Sequence, residues 1–293
     1  LGPKPFLTET TGKLEATFAD WDVQELIGDK IWRTVTAKAE LSGPTEGLDF
    51  LESALQLGRG VRVSGGPGVF ALSAAIDHGV ASGAIELGAK KGKYTRPGLA
   101  LVGTADAEVK FSGWQLDGGS PEIGGTSVKL ADVFVAGAPA GTPAWWGAFQ
   151  IPSGRLKNGL TGKVALQCKD GRPLLAFLGE SLPKWTQGLI DLDGLKATSE
   201  VVFSEPRTAV RNLHAEGGKF TIDGEYDRRG EHSNGAFLIE TELLTVGVEL
   251  QDGKAAVRPL LAKQWFATAR GEVAADTRAE ASSGARAGGK PEK

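Results

Sequence analysis

The sequence is poor in the residue types that cross-link chains or bind metals. It has one cysteine, Cys168, which excludes a disulfide within the chain. Its three histidines, His78, His214 and His232, include no pair at helical metal-ligand spacing, and Cys168 is far from each of them in sequence, whereas a zinc site needs about four nitrogen or sulfur ligands. We therefore predict that the histidines are ordinary surface or strand residues and that the chain binds no metal and no cofactor.

Recognisable catalytic motifs are absent as well. There is no G-x-S-x-G elbow, no phosphate-binding G-x-x-x-x-G-K-[ST] loop and no dinucleotide-binding glycine pattern between a strand and a helix. The acidic pair Asp191 and Asp193 lacks the closing glutamate of a calcium loop and is better interpreted as a turn. A Ser-His-Asp triad stays open, because its members need not be adjacent in sequence. Since no motif supports an enzyme, we expect no enzymatic activity.

Three further absences limit the class of protein. The net charge is −3, without the excess of basic residues that is typical of nucleic-acid binding. No run of about 18 apolar residues occurs, so the sequence predicts no membrane-spanning helix. Methionine is missing altogether, and the first residue is Leu1. From this we expect a fragment or a processed chain, with any signal peptide or anchor upstream.

Glycine and one-sided alternation are abundant. Glycine occurs 42 times, about twice its average share, and glycine pairs such as 65–66 and 217–218 indicate turns between strands. Apolar residues occupy every second position in several segments, as antiparallel strands with one solvated face require. These segments are 13–18, 31–42, 105–112, 163–167, 219–226 and 244–250. Weaker alternation predicts strands at 61–63, 69–76, 80–88, 99–103, 128–135, 200–203, 210–214 and 236–242.

Helices are few in this prediction, and the fold class is mainly β. Short helical patterns occur at 47–55, 173–183 and 259–270. The proline- and glycine-rich loop 136–146 suggests a boundary between an N-terminal β-repeat block, 1–140, and a second block, 141–270. The residues after Val273 include no large apolar side chain, which predicts a disordered tail over 271–293.

The tryptophans stand beside loops or helix ends. Trp145, Trp146, Trp185 and Trp265 are in such positions. Residues of this kind serve either as interfacial membrane anchors or as plugs at the end of a β core. We favour the second interpretation.

The stretch from about 154 to 268 resembles a known family. Its successive motifs are LTGKVALQCKDG, RPLLAFLGESLPKW, LIDLDGLKATSEVVFS, VRNLHAEGGKFTIDGEY, GAFLIETELLTVGVELQDG and LLAKQWFA. This order of glycine-bounded strands and hairpins resembles the C-terminal part of the AsmA-like proteins, including the TamB type, of diderm bacterial envelopes. The first half, with LTETTGKLEATFADWDV and GVASGAIELGAKKG, resembles the family more loosely. The sequence is shorter than a full-length member and does not include the family's N-terminal transmembrane anchor, and we expect both differences of a fragment.

The resemblance implies a fold and a function. The expected fold is an elongated, twisted antiparallel sheet curled into an open groove, apolar inside and polar outside. Such a groove carries phospholipid acyl chains through the periplasm between the inner and outer membranes. The resemblance implies tethering to the inner membrane by a missing N-terminal segment, so that membrane contact comes from parts outside this chain.

Contact with acyl chains is expected at the alternating apolar positions. The candidates are Val109, Phe111, Phe220, Ile222, Val246, Val248 and Leu250. Ordinary core packing is the competing interpretation of each of them. The competing function is an envelope assembly or scaffold protein, which binds outer-membrane proteins through its sheet edges and has no lipid cavity.

Overall fold

The computed structural model describes residues 9–18, 33–49, 60–97, 99–136, 141–171, 193–204 and 207–284. The chain forms two compact units. The first comprises Leu1–Lys157 with Leu166–Asp170, and the second comprises Asn158–Ala165 with Gly171–Lys293.

The first unit is an antiparallel sheet in which most strands pair with their neighbours in sequence. The strands are β1 (Thr11–Phe18), β2 (Val35–Thr45), β3 (Arg62–Gly65), β4 (Gly68–Asp77), β5 (Val80–Arg96), β6 (Leu99–Gln115), β7 (Thr126–Val135) and β8 (Trp145–Leu156). Their order is β1-β2-β4-β5-β6-β7-β8, and β3 pairs with the end of β5. A tight turn joins β4 to β5, because His78 and Gly79 both take positive φ angles, 46° and 85°.

The second unit has an antiparallel sheet and one helix. Its elements are β9 (Gly159–Cys168), whose residues from Leu166 onward belong to the first unit, β10 (Lys196–Ser204), β11 (Arg207–Gly217), β12 (Phe220–Arg229), β13 (His232–Thr241), β14 (Thr245–Gln251), β15 (Lys254–Arg258) and α1 (Ala262–Gly284). The strands are ordered as in the sequence. The predicted Asp252-Gly253 turn joins β14 to β15, with positive φ at both residues.

The predicted fold class is confirmed, because the described residues form fifteen strands and one helix. The segments 99–103 and 105–112 are parts of the single strand β6. Two strands were not predicted. β8 contains Pro152 and lacks clean alternation, whereas β15 is a short, exposed edge strand with the sequence KAAVR.

Beta bulges interrupt several of these strands. Irregular pairing lies between Ala89 and Gly92 in β5, between Leu130 and Val133 in β7, and between Val210 and Leu213 in β11. Each of these bulges contains a residue other than glycine with a positive φ. These residues are Lys91, Asp132 and Asn212. A bulge shifts the alternation of a strand by one residue, so side chains on either side of it keep to one face only if the sequence shifts as well.

Helix α1 packs on the second unit's sheet. Its apolar residues follow helical spacing at Ala262, Trp265, Phe266, Ala269 and Val273. They pack with Ala236 and Leu238 of β13 as a buried cluster. The helix predicted over 259–270 therefore exists, with different ends.

Two expectations about chain organisation are corrected. Residues 271–284 continue α1 instead of starting a disordered tail, since GEVAADTRAEAS is rich in good helix formers. The loop 136–146 is no unit boundary, because the strands that flank it, β7 and β8, pair with each other. The units divide instead after Lys157. Residues 285–293, the predicted helix 173–183 and the 47–55 helix from residue 50 onward lie outside the described residues.

Candidate functional site: the apolar faces of the two sheets

In the second unit, the apolar residues of neighbouring strands lie on one face of the sheet. Ile222 pairs with Ile239, which pairs in turn with Val246. Phe237 pairs with Val248, which pairs with Val257. Directly paired residues project to the same side, and residues two apart on a strand do so too. Phe220 and Leu250 therefore belong to this face, as do Val201, Val210, Leu213, Ala215 and Tyr226. We call it the apolar face of the second unit.

The first unit has an apolar face of the same kind. One row of paired residues crosses β2, β4, β5 and β6: Leu41, Leu72, Ile85 and Val109. A second row crosses six strands: Gly43, Phe70, Leu87, Ala107, Val128 and Phe149. Phe111 pairs with Gly83 on the same side as Val109.

Phenylalanine rings lie against the sheet where glycine leaves room for them. A Cβ atom added to Gly83 would lie 2.8 Å from Cζ of Phe111, and one added to Gly235 would lie 2.9 Å from Cε2 of Phe237. The same ring of Phe237 lies over Gly224. These glycines therefore let the phenylalanine rings lie close to the backbone of the sheet.

The opposite face of the second unit is charged, and we call it the polar face. Cross-strand ion pairs connect its strands: Lys163 with Glu200 at 3.9 Å, Lys196 with Glu216 at 3.7 Å and His214 with Asp223 at 2.8 Å. Helix α1 packs on this face. The ring of Trp265 lies against Gly247, and Lys263 Nζ is 2.6 Å from Glu240 Oε1.

Among the described elements, α1 packs on the polar face of this sheet, opposite the apolar face. The most extensive contacts that the sheet makes with these elements are those between neighbouring strands and those with α1. Phe220 and Val246 are buried, Ile222, Phe237, Ile239, Val248 and Leu250 are half-buried, and Val257 on the edge strand is exposed. The apolar face is thus partly covered, and the one described helix packs on the other side of the sheet.

A partly buried ion-pair network anchors α1 to the polar face. Glu225 is 3% exposed and accepts hydrogen bonds from the backbone N–H of Asn212, at 3.1 Å, and from Arg270 Nε of α1, at 3.2 Å. Arg211 bridges Glu225 and Asp227, with its Nη2 2.9 Å from Asp227 Oδ2. The bulge in β11 makes this possible, because it places Arg211 and Asn212 together on the polar face.

We expect Glu225→Ala to destabilise the second unit by about 3 kcal/mol, because Arg211 and Arg270 both lose a buried carboxylate partner. They keep Asp227 and Asn212, respectively, as partners. Urea unfolding of the purified protein measures this free energy. Glu216→Ala is the matched control, since it removes an exposed carboxylate on the same face and should cost less than about 0.5 kcal/mol. Equal losses for both variants would contradict the special role of Glu225.

The titratable groups with shifted pKa values belong to turns and packing. Burial raises the pKa of the Cys168 thiol, which is fully buried and donates a hydrogen bond to the carbonyl of Asp170 at 3.4 Å. Hydrogen bonds with His78 and Thr36 lower the pKa of Asp77. The backbone N–H of Ser233 lowers the pKa of Asp252. A buried, protonated thiol is a poor nucleophile, which agrees with a packing role for Cys168.

The structure places the sequence-predicted candidates on apolar faces. Phe220, Ile222, Val246, Val248 and Leu250 come together in the second unit, while Val109 and Phe111 come together in the first. Sequence reasoning missed Phe237 and Ile239 at the centre of the second unit's face, although their alternation in GAFLIET was a usable signal.

Two of the described tryptophans contribute to packing or hydrogen bonding. Trp145 Nε1 donates a hydrogen bond to the carbonyl of Asp170 at 2.7 Å, and Trp265 packs on β14. Trp146 is exposed, and Trp185 lies outside the described residues.

Comparisons with known proteins give no match: no family model, no curated protein and no solved structure matches the chain. The similarity to AsmA-like proteins therefore stays a prediction. Within the part of the chain that the structure describes, no group of histidine, cysteine and acidic residues is arranged to hold a metal ion. In the same residues no helix has both the length and the apolar character to cross a membrane.

Proposed function

We propose that the protein carries phospholipids in the periplasm, between the inner and outer membranes, by holding acyl chains against the apolar faces of its sheets. The observation that carries this proposal is the side on which α1 packs. Of the described residues, the helix covers part of the polar face, whereas the rows around Ile239 and Val248 on the other face are half-buried. No residue of this scheme is catalytic.

The energetics of burial support an acyl chain as the occupant of these rows. Each methylene removed from water contributes about 0.8 kcal/mol. Contact with about 14 methylenes therefore offsets much of the cost of taking a lipid out of a bilayer. The row Ile222, Ile239 and Val246 and the row Phe237, Val248 and Val257 offer carbon surface across several strands. An acyl chain lying across these rows would be shielded from water on one side.

Selectivity among lipids should be loose. An apolar surface distinguishes one methylene more or less by only about 1–3 kcal/mol. The charged residues of the second unit are concentrated on the polar face, where they pair with one another. We therefore expect a mixture of phospholipids that follows the composition of the host membrane.

The direct test is the lipid content of the purified protein. The chain is purified gently from bacterial cells and extracted with organic solvent, and phospholipid per mole of protein is measured by mass spectrometry. We expect near-stoichiometric phospholipid, with a mock purification giving the background. A well-folded protein without lipid would count against the proposal.

A scaffold function is the second candidate, and the sheet edges favour it. Among the described residues, β1 pairs only with β2 and β15 only with β14, and both edge strands are exposed along their whole length. Unpaired backbone groups of an edge can bind a strand of another protein, such as an outer-membrane protein. A lipid-free protein that binds such a partner through β15 would favour this function over lipid transport.

A further inference from the structure

Four leucines are exposed at one end of the second unit's sheet. Leu243 and Leu244 lie in the connection from β13 to β14 and are 93% and 42% exposed. Leu260 and Leu261 lie between β15 and α1 and are 82% and 71% exposed. Since β15 runs antiparallel to β14, with Arg258 opposite Gly247, both connections leave the sheet at the same end. We call these four residues the leucine tip.

The backbone holds the leucines in these exposed positions. Thr241 fixes the first connection, because its hydroxyl oxygen accepts hydrogen bonds from the N–H groups of Leu243, at 3.3 Å, and Leu244, at 3.0 Å. Its own N–H donates to the carbonyl of Leu244 at 2.8 Å. In the second connection, Leu261 has a φ of 52°, a conformation that leucine rarely adopts. The carbonyl of Leu261 accepts the first helical hydrogen bond of α1, from Trp265, at 2.9 Å.

Charged pairs surround the base of the leucine tip and cancel one another. Lys219 Nζ is 3.3 Å from Glu242 Oε2, and Lys263 Nζ is 2.6 Å from Glu240 Oε1. Both lysine side chains are about two-thirds exposed, at 68% and 67%. Long lysine side chains can keep their ammonium groups in water while their stems lie along an apolar surface. The end of the tip is therefore apolar. The residues at its base are charged, but their charges cancel in pairs.

We propose that the leucine tip inserts into the surface of a phospholipid bilayer of neutral headgroups and so joins the apolar face to its source or destination of lipid. The inference rests on the proposed function in naming phospholipid as the partner. It differs from the sequence-based expectation, which assigned membrane contact to parts outside this chain.

Three observations favour a bilayer over a protein partner. The leucines protrude from two separate connections, whereas protein interfaces centre on packed aromatic and arginine side chains. The charged pairs at the base of the tip would lie at the level of the headgroups when the leucines enter the hydrocarbon. The tip also lies at the end where the apolar face begins, because Phe220 of that face pairs with Thr241 beside the first connection.

Flotation with vesicles tests this inference. The full chain is mixed with phosphatidylcholine vesicles and floated through a density gradient, alongside the double variant Leu243→Ser/Leu260→Ser. We expect the partition coefficient to fall by about tenfold per leucine, or roughly a hundredfold for the double variant. Val69→Ser is the control, because Val69 is 65% exposed and belongs to the first unit instead of the leucine tip. It should float like the wild type.

The outcomes separate this inference from the proposed function. Selective loss of flotation by the double variant, with unchanged lipid content of the purified protein, supports the tip. A wild type that contains lipid but does not float overturns the tip and leaves the carrier function standing. A wild type that floats but contains no lipid supports the tip and counts against the carrier. If light scattering shows a dimer that the double variant converts to a monomer, while the wild type does not float, the tip binds a second copy and the bilayer proposal is overturned.

Discussion

Replacing Val248 with glutamate is expected to empty the apolar face of lipid while leaving the second unit folded. Val248 lies between Phe237 and Val257 at the centre of that face and is half-buried. In the lipid-free protein the new carboxylate can stay hydrated, since Val248 is only half-buried. In the loaded protein an acyl chain would remove that water, and burying an unpaired charge costs several kcal/mol. We therefore expect bound phospholipid to fall at least about tenfold.

The measurement compares phospholipid per mole of protein with the wild type, together with circular dichroism and the midpoint of thermal unfolding. The matched control is Val202→Glu in β10. Val202 is half-buried too, but it pairs with Ala209, which pairs with Asp227 of the polar face. The same substitution there places a carboxylate on the side where Arg207 and Arg211 lie. Loss of lipid by both variants, or by neither, would contradict the assignment of Val248 to a lipid surface.

The sequence was sufficient to predict one-sided strands but not the surface that they build together. In β12 and β14, strict alternation identifies Phe220, Ile222, Val246 and Val248, and pairing with β13 brings them onto one face. In β11, Val210 and Leu213 lie on that same face although they differ by an odd number of positions. The bulge at Asn212 adds one residue to the strand, so Leu213 returns to the side of Val210. A period of two cannot reveal this, because the bulge depends on contacts with Glu225 and Arg270 from other elements.

Helix positions show a second limit of sequence reasoning. The pattern around Trp265 and Phe266 predicts a helix with an apolar side, and α1 has one. The pattern does not indicate which face of the sheet receives it. That choice depends on Gly247, whose missing side chain makes room for Trp265, and on ion pairs with Glu225 and Glu240. The leucine tip was likewise visible only as a break in alternation at Leu243 and Leu244, because exposure in a turn depends on what packs around it.

Replacing Gly247 with valine is expected to displace α1 and to leave lipid binding intact. Gly247 precedes Val248, so its side faces the helix. The ring of Trp265 occupies the space that a Cβ atom would need. Overpacking of this kind costs about 2–3 kcal/mol. We expect that loss in the free energy of unfolding by urea, and a red shift of tryptophan emission as Trp265 becomes hydrated.

Gly271→Val is the matched control for the displaced helix, because a Cβ atom at Gly271 meets no atom within 4 Å and valine is a better helix former than glycine. It should be as stable as the wild type or slightly more stable. The lipid content of Gly247→Val then decides which face binds lipid. If Gly247→Val keeps its phospholipid while Val248→Glu loses it, then lipid binds the face of Val248 and not the face of Gly247. If Gly247→Val also loses its lipid, α1 takes part in binding, and the apolar face alone is not the carrier surface.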